Sequence, residues 1–431
     1  MASTVFLGFI ALSLWLALRA GKGRGSQSVH DFFVASRQFG AWLVFFLAAG
    51  EIYSIGTMVG FPGGIYAKGP TYGVWFLGYI LLAYPIGYFV GPKIWEAGKR
   101  YNAITLPDLF KGHFGSRALE LIVAISALIF LLPWGQLQFT GLVAALKGLG
   151  WNLNPVLLIM ISALLAFAYI AIAGVRASAY IAILKDILMV AAIVITGIAV
   201  AWQAGVEPVF RAASQHVSNA MSAHQLTFSM STMLFQSLGF YVMPFAIQNF
   251  FTAKSANTIR RSQVVMPLYM LMYPFLVVAS YYAIAQNVPL GSPNEAFFTA
   301  VVHLLPHMPE TRQKASAKVV IGLYLVLSIG MTLATPNLML TLINMTYYGV
   351  TQYFPGVIAI VLGLRVSARA IASGLLVGQV LAVFLYAFHV DVAGINIGLI
   401  CLAVNLLVVF LANPSAGRKH VHADLIHSND S

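Results

Sequence analysis

Charge is scarce in this sequence: Asp, Glu, Lys and Arg together make up 8% of 431 residues, whereas 60% are hydrophobic. So few charges cannot solvate the surface of a soluble domain. Cysteine is scarcer still. Cys401 stands alone inside an apolar block, so no intrachain disulfide can form. No Gly-rich phosphate loop with its lysine follows a strand-like run, which leaves out nucleotide-driven work. Alternating ten-residue patterns, the mark of outer-membrane barrels, are missing too. No basic residue precedes Arg19, which disfavours a cleaved leader and favours a first spanning helix.

What the chain has is long apolar blocks of roughly 18–28 residues, the length that crosses a bilayer core. Lipid offers no hydrogen bonds, so such blocks must be helices. About twelve are legible, over 3–19, 40–66, 70–92, 118–146, 154–173, 177–204, 227–251, 263–286, 318–335, 337–363, 367–389 and 392–412. The net charge of +12 could suggest a nucleic-acid partner, but the basic residues sit in loops, where they orient helices. They crowd after the first, third, fifth and seventh segments (Lys22, Arg24, Arg37; Lys93 to Arg117; Arg176; Lys254, Arg260, Arg261). The intervening loops hold about one each: Lys68, Lys147 and Arg211. This bias places the N-terminus outside and, given an odd number of crossings, the C-terminus in the cytoplasm. Beyond the eighth segment the parity fails. Keeping Arg312, Lys314, Lys318, Arg365 and Arg369 inside needs one more crossing between Asn287 and Ala317, where only Ala296 to Met308 is apolar, and that run is too short to span.

The second segment carries the polar run Gly50-Glu51-Ile52-Tyr53-Ser54 and Thr57, then Gly60-Phe61-Pro62-Gly63-Gly64. Glycine and proline weaken a helix there, and an interrupted spanning helix exposes carbonyls and a half-helix N-terminus able to bind a cation and an anion. Close packing through small residues explains the glycines alone, but not the polar cluster. Glu51 and Asp186 are ionisable groups inside apolar segments, where function is the default hypothesis. Asp186 can equally neutralise Lys185 and Arg176 near the cytoplasmic face. Trp134, Gln136 and Gln138 flank Pro133; Gln236, Tyr241 and Gln248 mark the seventh segment; Tyr348, Thr351 and Gln352 precede Pro355. Amides and phenols suit a small polar solute, and each also serves as glue between helices. His420, His422 and His427 lie irregularly in a polar tail and read as solvated rather than as a metal site.

Several short motifs, in order along the chain, resemble the sodium/solute symporter family. They are Asp31-Phe32-Phe33-Val34-Ala35-Ser36-Arg37, Thr105-Leu106-Pro107-Asp108 with Phe114-Gly115-Ser116-Arg117, and Phe251-Thr252-Ala253-Lys254-Ser255. Gly50-Glu51-Ile52-Tyr53, Leu184-Lys185-Asp186, Gly239-Phe240-Tyr241 and Met266-Pro267-Leu268-Tyr269 are similar to its monocarboxylate permease branch. The resemblance implies an all-α polytopic membrane protein with a leucine-transporter-like inverted-repeat core. It implies a leading helix over 3–19, a first five-helix repeat over 40–204, a second over 227–363, two trailing helices over 367–412 and a polar tail over 413–431. The family pattern has thirteen helices against about twelve here, and the missing one falls between Pro306 and Lys318, where the family carries hydroxyls that complete a sodium site. The resemblance further implies sodium held by backbone carbonyls near Gly50 and Tyr53, with Asp186 on its exit path.

The resulting expectation is a secondary transporter, not an enzyme, in the cell's inner (plasma) membrane. It would couple sodium, or a proton in its place, to a small organic anion such as lactate or pyruvate by alternating access, with no other cofactor. Tyr53, Ser54, Thr57, Trp134, Gln138, Tyr241 and Gln248 are the residues expected to line the substrate site; Gly50, Glu51, Tyr53 and Asp186 are those expected to bind or couple the ion. The alternative is a membrane sensor or coupling-defective paralogue that binds its solute without moving it. A channel is disfavoured, since no charged ring is visible.

Overall fold

The computed structural model describes residues 34–148, 179, 182–218, 220–287, 290, 292–304 and 339–413. The expected segments 3–19, 154–173 and 318–335, the histidines of the tail and the side chain of Glu51 lie outside the described residues.

Helices account for nearly all of the described chain, and two isolated bridges are the only β pairing among those residues. In chain order they are α1 (Ala41–Ile52), α2 (Phe61–Lys68), α3 (Pro70–Arg100), α4 (Leu106–Phe114), α5 (Arg117–Gly148) and α6 (Ala182–Gln203). Next come α7 (Val206–Ala213), α8 (Ala223–Phe240), α9 (Pro244–Thr252), α10 (Ala256–Val265), α11 (Tyr273–Ala285) and α12 (Ala296–Leu304). The last four are α13 (Met339–Val350), α14 (Phe354–Leu362), α15 (Ala368–Ala387) and α16 (Ile397–Leu411). Five helices among the described residues are long and apolar enough to cross a bilayer, over 73–100, 117–138, 182–203, 256–285 and 368–387. Exposed Leu121, Ile125, Leu128, Ile129 and Leu132 line one side of α5, an outward apolar stripe suited to lipid.

Two helices expected to open the repeats are both broken. α1 stops at Ile52; Tyr53 turns away at φ −90° and ψ 81°, and the chain resumes as a π-helical turn, Gly56–Gly60, before α2. α8 and α9 meet at an angle of 44° across Tyr241-Val242-Met243, with Pro244 opening α9. Each break lies where the sequence concentrates glycine, proline and polar groups.

The short motifs turn out to be struts and caps. Thr105 and Asp108 form a reciprocal capping box at the start of α4: the Thr105 amide donates to Asp108 Oδ2 at 2.9 Å, and the Asp108 amide donates back to Thr105 Oγ1 at 3.5 Å. Arg37 donates to the carbonyls of Ala103 at 2.7 Å, Gly98 at 3.0 Å and Phe251 at 3.3 Å, tying three separate motifs together. Beside it the Phe39 amide donates to the Thr252 carbonyl at 2.9 Å, and the Trp95 indole N–H to the Ala253 carbonyl at 2.7 Å.

The short run starting at Ala296 forms α12, nine residues whose Phe297, Phe298, Ala300 and Val301 are buried. It packs on α11, α2 and α5, so the described part of this stretch belongs to the protein interior.

Candidate functional site

Between the two breaks lies a cavity. α1 contributes Ala48 and Ile52, α3 contributes Tyr79, α5 Trp134, and α13 Tyr347; the second break and α9 add Phe240, Tyr241, Met243 and Asn249, while α10 adds Gln263. Tyr241 reaches it because Gly87 has no side chain: a Cβ there would come within 2.4 Å of the Tyr241 ring. The Tyr241 hydroxyl donates to Gln263 Oε1, and its ring stacks on Phe250 with centroids 5.2 Å apart. Trp134 packs against Phe245 at 5.5 Å, and Tyr79 meets Tyr347 edge-on at 5.6 Å. Among the described residues no Lys, Arg, Asp or Glu lines the cavity, and its described lining offers phenol, indole and amide groups on an apolar wall. It leaves about 30 Å³, room for a water or two.

Of the seven residues expected to line a substrate site, Trp134 and Tyr241 stand on the wall of this cavity. Tyr53 is fully buried elsewhere: its hydroxyl meets that of Tyr84 and lies 3.4 Å from Met270 Sδ, and its ring stacks on Tyr269 with centroids 4.7 Å apart. Ser54 is half-buried and its carbonyl accepts from the Thr57 and Met58 amides at 3.1 and 3.2 Å. Thr57 is buried, with its hydroxyl 3.4 Å from the Ile52 carbonyl. These three residues build the break itself. Gln138 and Gln248 are half-buried outside the cavity lining; next to Gln248, Asn249 takes the inward position that the helical period denies its neighbour. Tyr79, Tyr347, Asn249 and Gln263 are cavity residues that nothing in the sequence singles out, because they come together only through packing of distant helices.

The ion seat differs most from expectation. The Lys185 ammonium, on α6, donates to the Gly50 carbonyl and to the Tyr53 carbonyl, the latter at 3.2 Å. It also pairs with Asp186 Oδ1 at 3.3 Å. The two carbonyls assigned to sodium by resemblance therefore face an ammonium in this structure. A sodium ion sharing them would lie roughly 3 Å from that charge. At an effective dielectric of about 20, the repulsion is about 5 kcal/mol, too large for both cations to sit there. Asp186, fully buried, accepts from Tyr269 Oη at 2.9 Å through its other oxygen. It is thus an interior group held by two partners, not a solvated counter-charge at a surface. Other amides singled out in the sequence act as glue: Gln236 Nε2 donates to Asn344 Oδ1 at 2.5 Å, and Asn405 Nδ2 to the Gln352 carbonyl at 2.8 Å.

Comparison with known proteins extends these observations. The model of the sodium:solute symporter family matches residues 32–339. A monocarboxylate transport permease protein of Rhizobium johnstonii is 30% identical over 304 residues, covering 68% of this chain and 61% of that protein. The uncharacterized symporter YhjB of Bacillus subtilis is 26% identical over 407 residues, covering 83% of each chain. Because 83% of 431 residues is fewer than 407, that alignment contains gaps on this chain's side. Among solved structures, a Na+-coupled sialic acid symporter in a substrate-bound, outward-open state superposes with a TM-score of 0.67 at 14% identity, covering 96% of both chains. The fold is thereby the leucine-transporter-like one expected, and the broken helices, the multi-pass architecture and the family match agree: the chain belongs to the sodium:solute symporter family.

Proposed function

We propose that this protein is a secondary active transporter that carries a small organic anion, a monocarboxylate such as lactate or pyruvate, by alternating access in the inner membrane. The observation that carries this reading is the cavity between the two broken helices, whose described lining includes Trp134, Tyr241, Asn249 and Gln263 and no charged residue. Hydrogen-bond donors on an apolar wall suit a carboxylate whose charge is met by dipoles rather than by a buried cation. The carboxylate class is supported by the name of the Rhizobium johnstonii relative. Sodium is the coupling ion that the family supports, with a proton as the alternative. The first repeat runs over 40–204 and the second over 227–363, with the N-terminus outside and the C-terminus in the cytoplasm.

A second reading is a family member that binds its solute without coupled flux. One observation favours it: the Lys185 ammonium on the carbonyls expected for sodium. Reconstituted vesicles separate the two. Labelled lactate or pyruvate should accumulate when an inward sodium gradient, or separately a proton gradient, is imposed. Saturable binding with no gradient-driven accumulation would instead establish the second reading.

A further inference from the structure

We infer that the ammonium of Lys185 is the resident cation of the carbonyl seat at the first break, and that this seat takes no sodium while Lys185 is in place. The ammonium donates to two oxygens, the Gly50 and Tyr53 carbonyls, and its charge is paired with Asp186 Oδ1 at 3.3 Å. The carbonyls come from a segment more than 130 residues away in sequence, on a different helix. The side chain of Lys185 is 13% exposed and that of Asp186 is 0% exposed, so water does not compete for the contacts.

The surroundings are shaped for that approach. Gly50 packs directly against α6: a Cβ there would lie 3.0 Å from Ala182 Cβ, 3.1 Å from Lys185 Nζ and 3.3 Å from Asp186 Oδ1. A side chain at this position would have to be met by a shift of its neighbours. Tyr269 braces the other side, donating to Asp186 Oδ2 at 2.9 Å while its ring stacks on Tyr53, the residue that supplies the second carbonyl. A charge that satisfies orphan carbonyls at a helix break has the same chemistry as a bound monovalent cation, but a tethered one cannot leave with a solute. Any sodium dependence of flux therefore arises at a different position.

Removing the ammonium would leave two carbonyls and a carboxylate, an all-oxygen set suited to a small hard cation. The test uses the purified full-length chain in detergent with no solute present, so it stands or falls separately from the transport reading. Thermal unfolding followed by tryptophan fluorescence is compared in NaCl and choline chloride at equal concentration. Sodium bound elsewhere raises every variant alike, so the wild type sets the baseline difference between the two salts. Lys185→Ala should unfold earlier in choline chloride and recover in NaCl by about 2 °C or more beyond that baseline, and also recover in methylammonium chloride, which restores the missing donors. Lys185→Met, which fills the space without charge, should unfold early and show only the baseline difference. A folded Lys185→Ala that gains no more from NaCl than the wild type does would overturn the inference. If Lys185→Ala yields no folded protein, Lys185→Met and the wild type decide: an equal response to NaCl supports the seat as filled, and a larger one in the wild type refutes it.

Discussion

At the first break, between α1 and α2, peptide carbonyls face a full charge: Lys185 donates to Gly50 and Tyr53, and Asp186 closes the pair. At the second, between α8 and α9, the described groups nearby are neutral, and Tyr241 donates to Gln263 beside a cavity with no charged lining among the described residues. A broken helix in a low-dielectric interior must satisfy the backbone groups that it frees, and these two breaks do so at different strengths. A hydrogen bond to a charged donor contributes roughly twice what a neutral one does. The first break is thus a fixed joint, whereas the second is held by contacts weak enough for a solute's carboxylate to displace. The difference assigns rigidity to one half of the site and adaptability to the other.

Asp186→Asn attacks the fixed joint most directly. It leaves the Lys185 ammonium buried with no counter-charge, and breaking one side of such a pair costs about 3–5 kcal/mol. Chemical unfolding in detergent should register a loss of that size; a loss below about 1 kcal/mol would mean that charge does not hold the first break. Arg37→Gln comes next. Arg37 applies the same device at another junction, placing a cation on the carbonyls of Gly98, Ala103 and Phe251, with its guanidinium 5.2 Å from the Phe251 ring centre. Loss of the charged donor should cost about 2 kcal/mol by the same measurement.

How much of this could be read from the sequence follows from the range of each interaction. The apolar blocks and the break near Tyr53 depend on residues within a few positions of each other, and composition located them; Thr105 and Asp108 stood out only as part of a family motif, and their capping role comes from the structure. The role of Lys185 depends on Gly50 and Tyr53, far away in sequence, so adjacency suggested only a local pairing with Asp186. Tyr53 was singled out for a phenol facing solute; its ring went into a stack with Tyr269, and its backbone went to Lys185. On α9 the sequence pointed to an amide, but helix rotation chose Asn249 over Gln248. Segment type was legible, whereas facing was not.

Tyr241→Phe tests the adaptable break. Removing one neutral donor should cost about 1 kcal/mol of stability, a fraction of the Asp186→Asn effect. It should weaken solute binding more than it weakens the fold, because the hydroxyl stands on the cavity wall. Tryptophan quenching by lactate or pyruvate measures the first and chemical unfolding the second. Equal losses from Tyr241→Phe and Asp186→Asn would erase the distinction between the breaks.

The smallest effect lies outside both breaks and guards the comparison. His113, on the short helix α4, accepts or donates through Nδ1 with the Tyr101 hydroxyl at 2.9 Å, and its Nε2 lies 3.4 Å from the Leu364 carbonyl. Burial is the main influence on it and lowers its pKa below the ordinary 6.5; the Leu364 carbonyl raises it and Arg100 lowers it further. The unfolded chain therefore binds a proton at His113 more readily than the folded one does. Its contribution is complete above pH 6.5 and is lost as pH falls from there toward the lower folded value. The unfolding midpoint should fall on mild acidification across that window, and His113→Gln should flatten the slope while leaving the midpoint at pH 8 almost unchanged. An acid sensitivity that survives His113→Gln but disappears in Asp186→Asn would belong to the charged break. One that survives both would place the acid response outside the fixed joint and leave the contrast between the two breaks to the stability measurements alone.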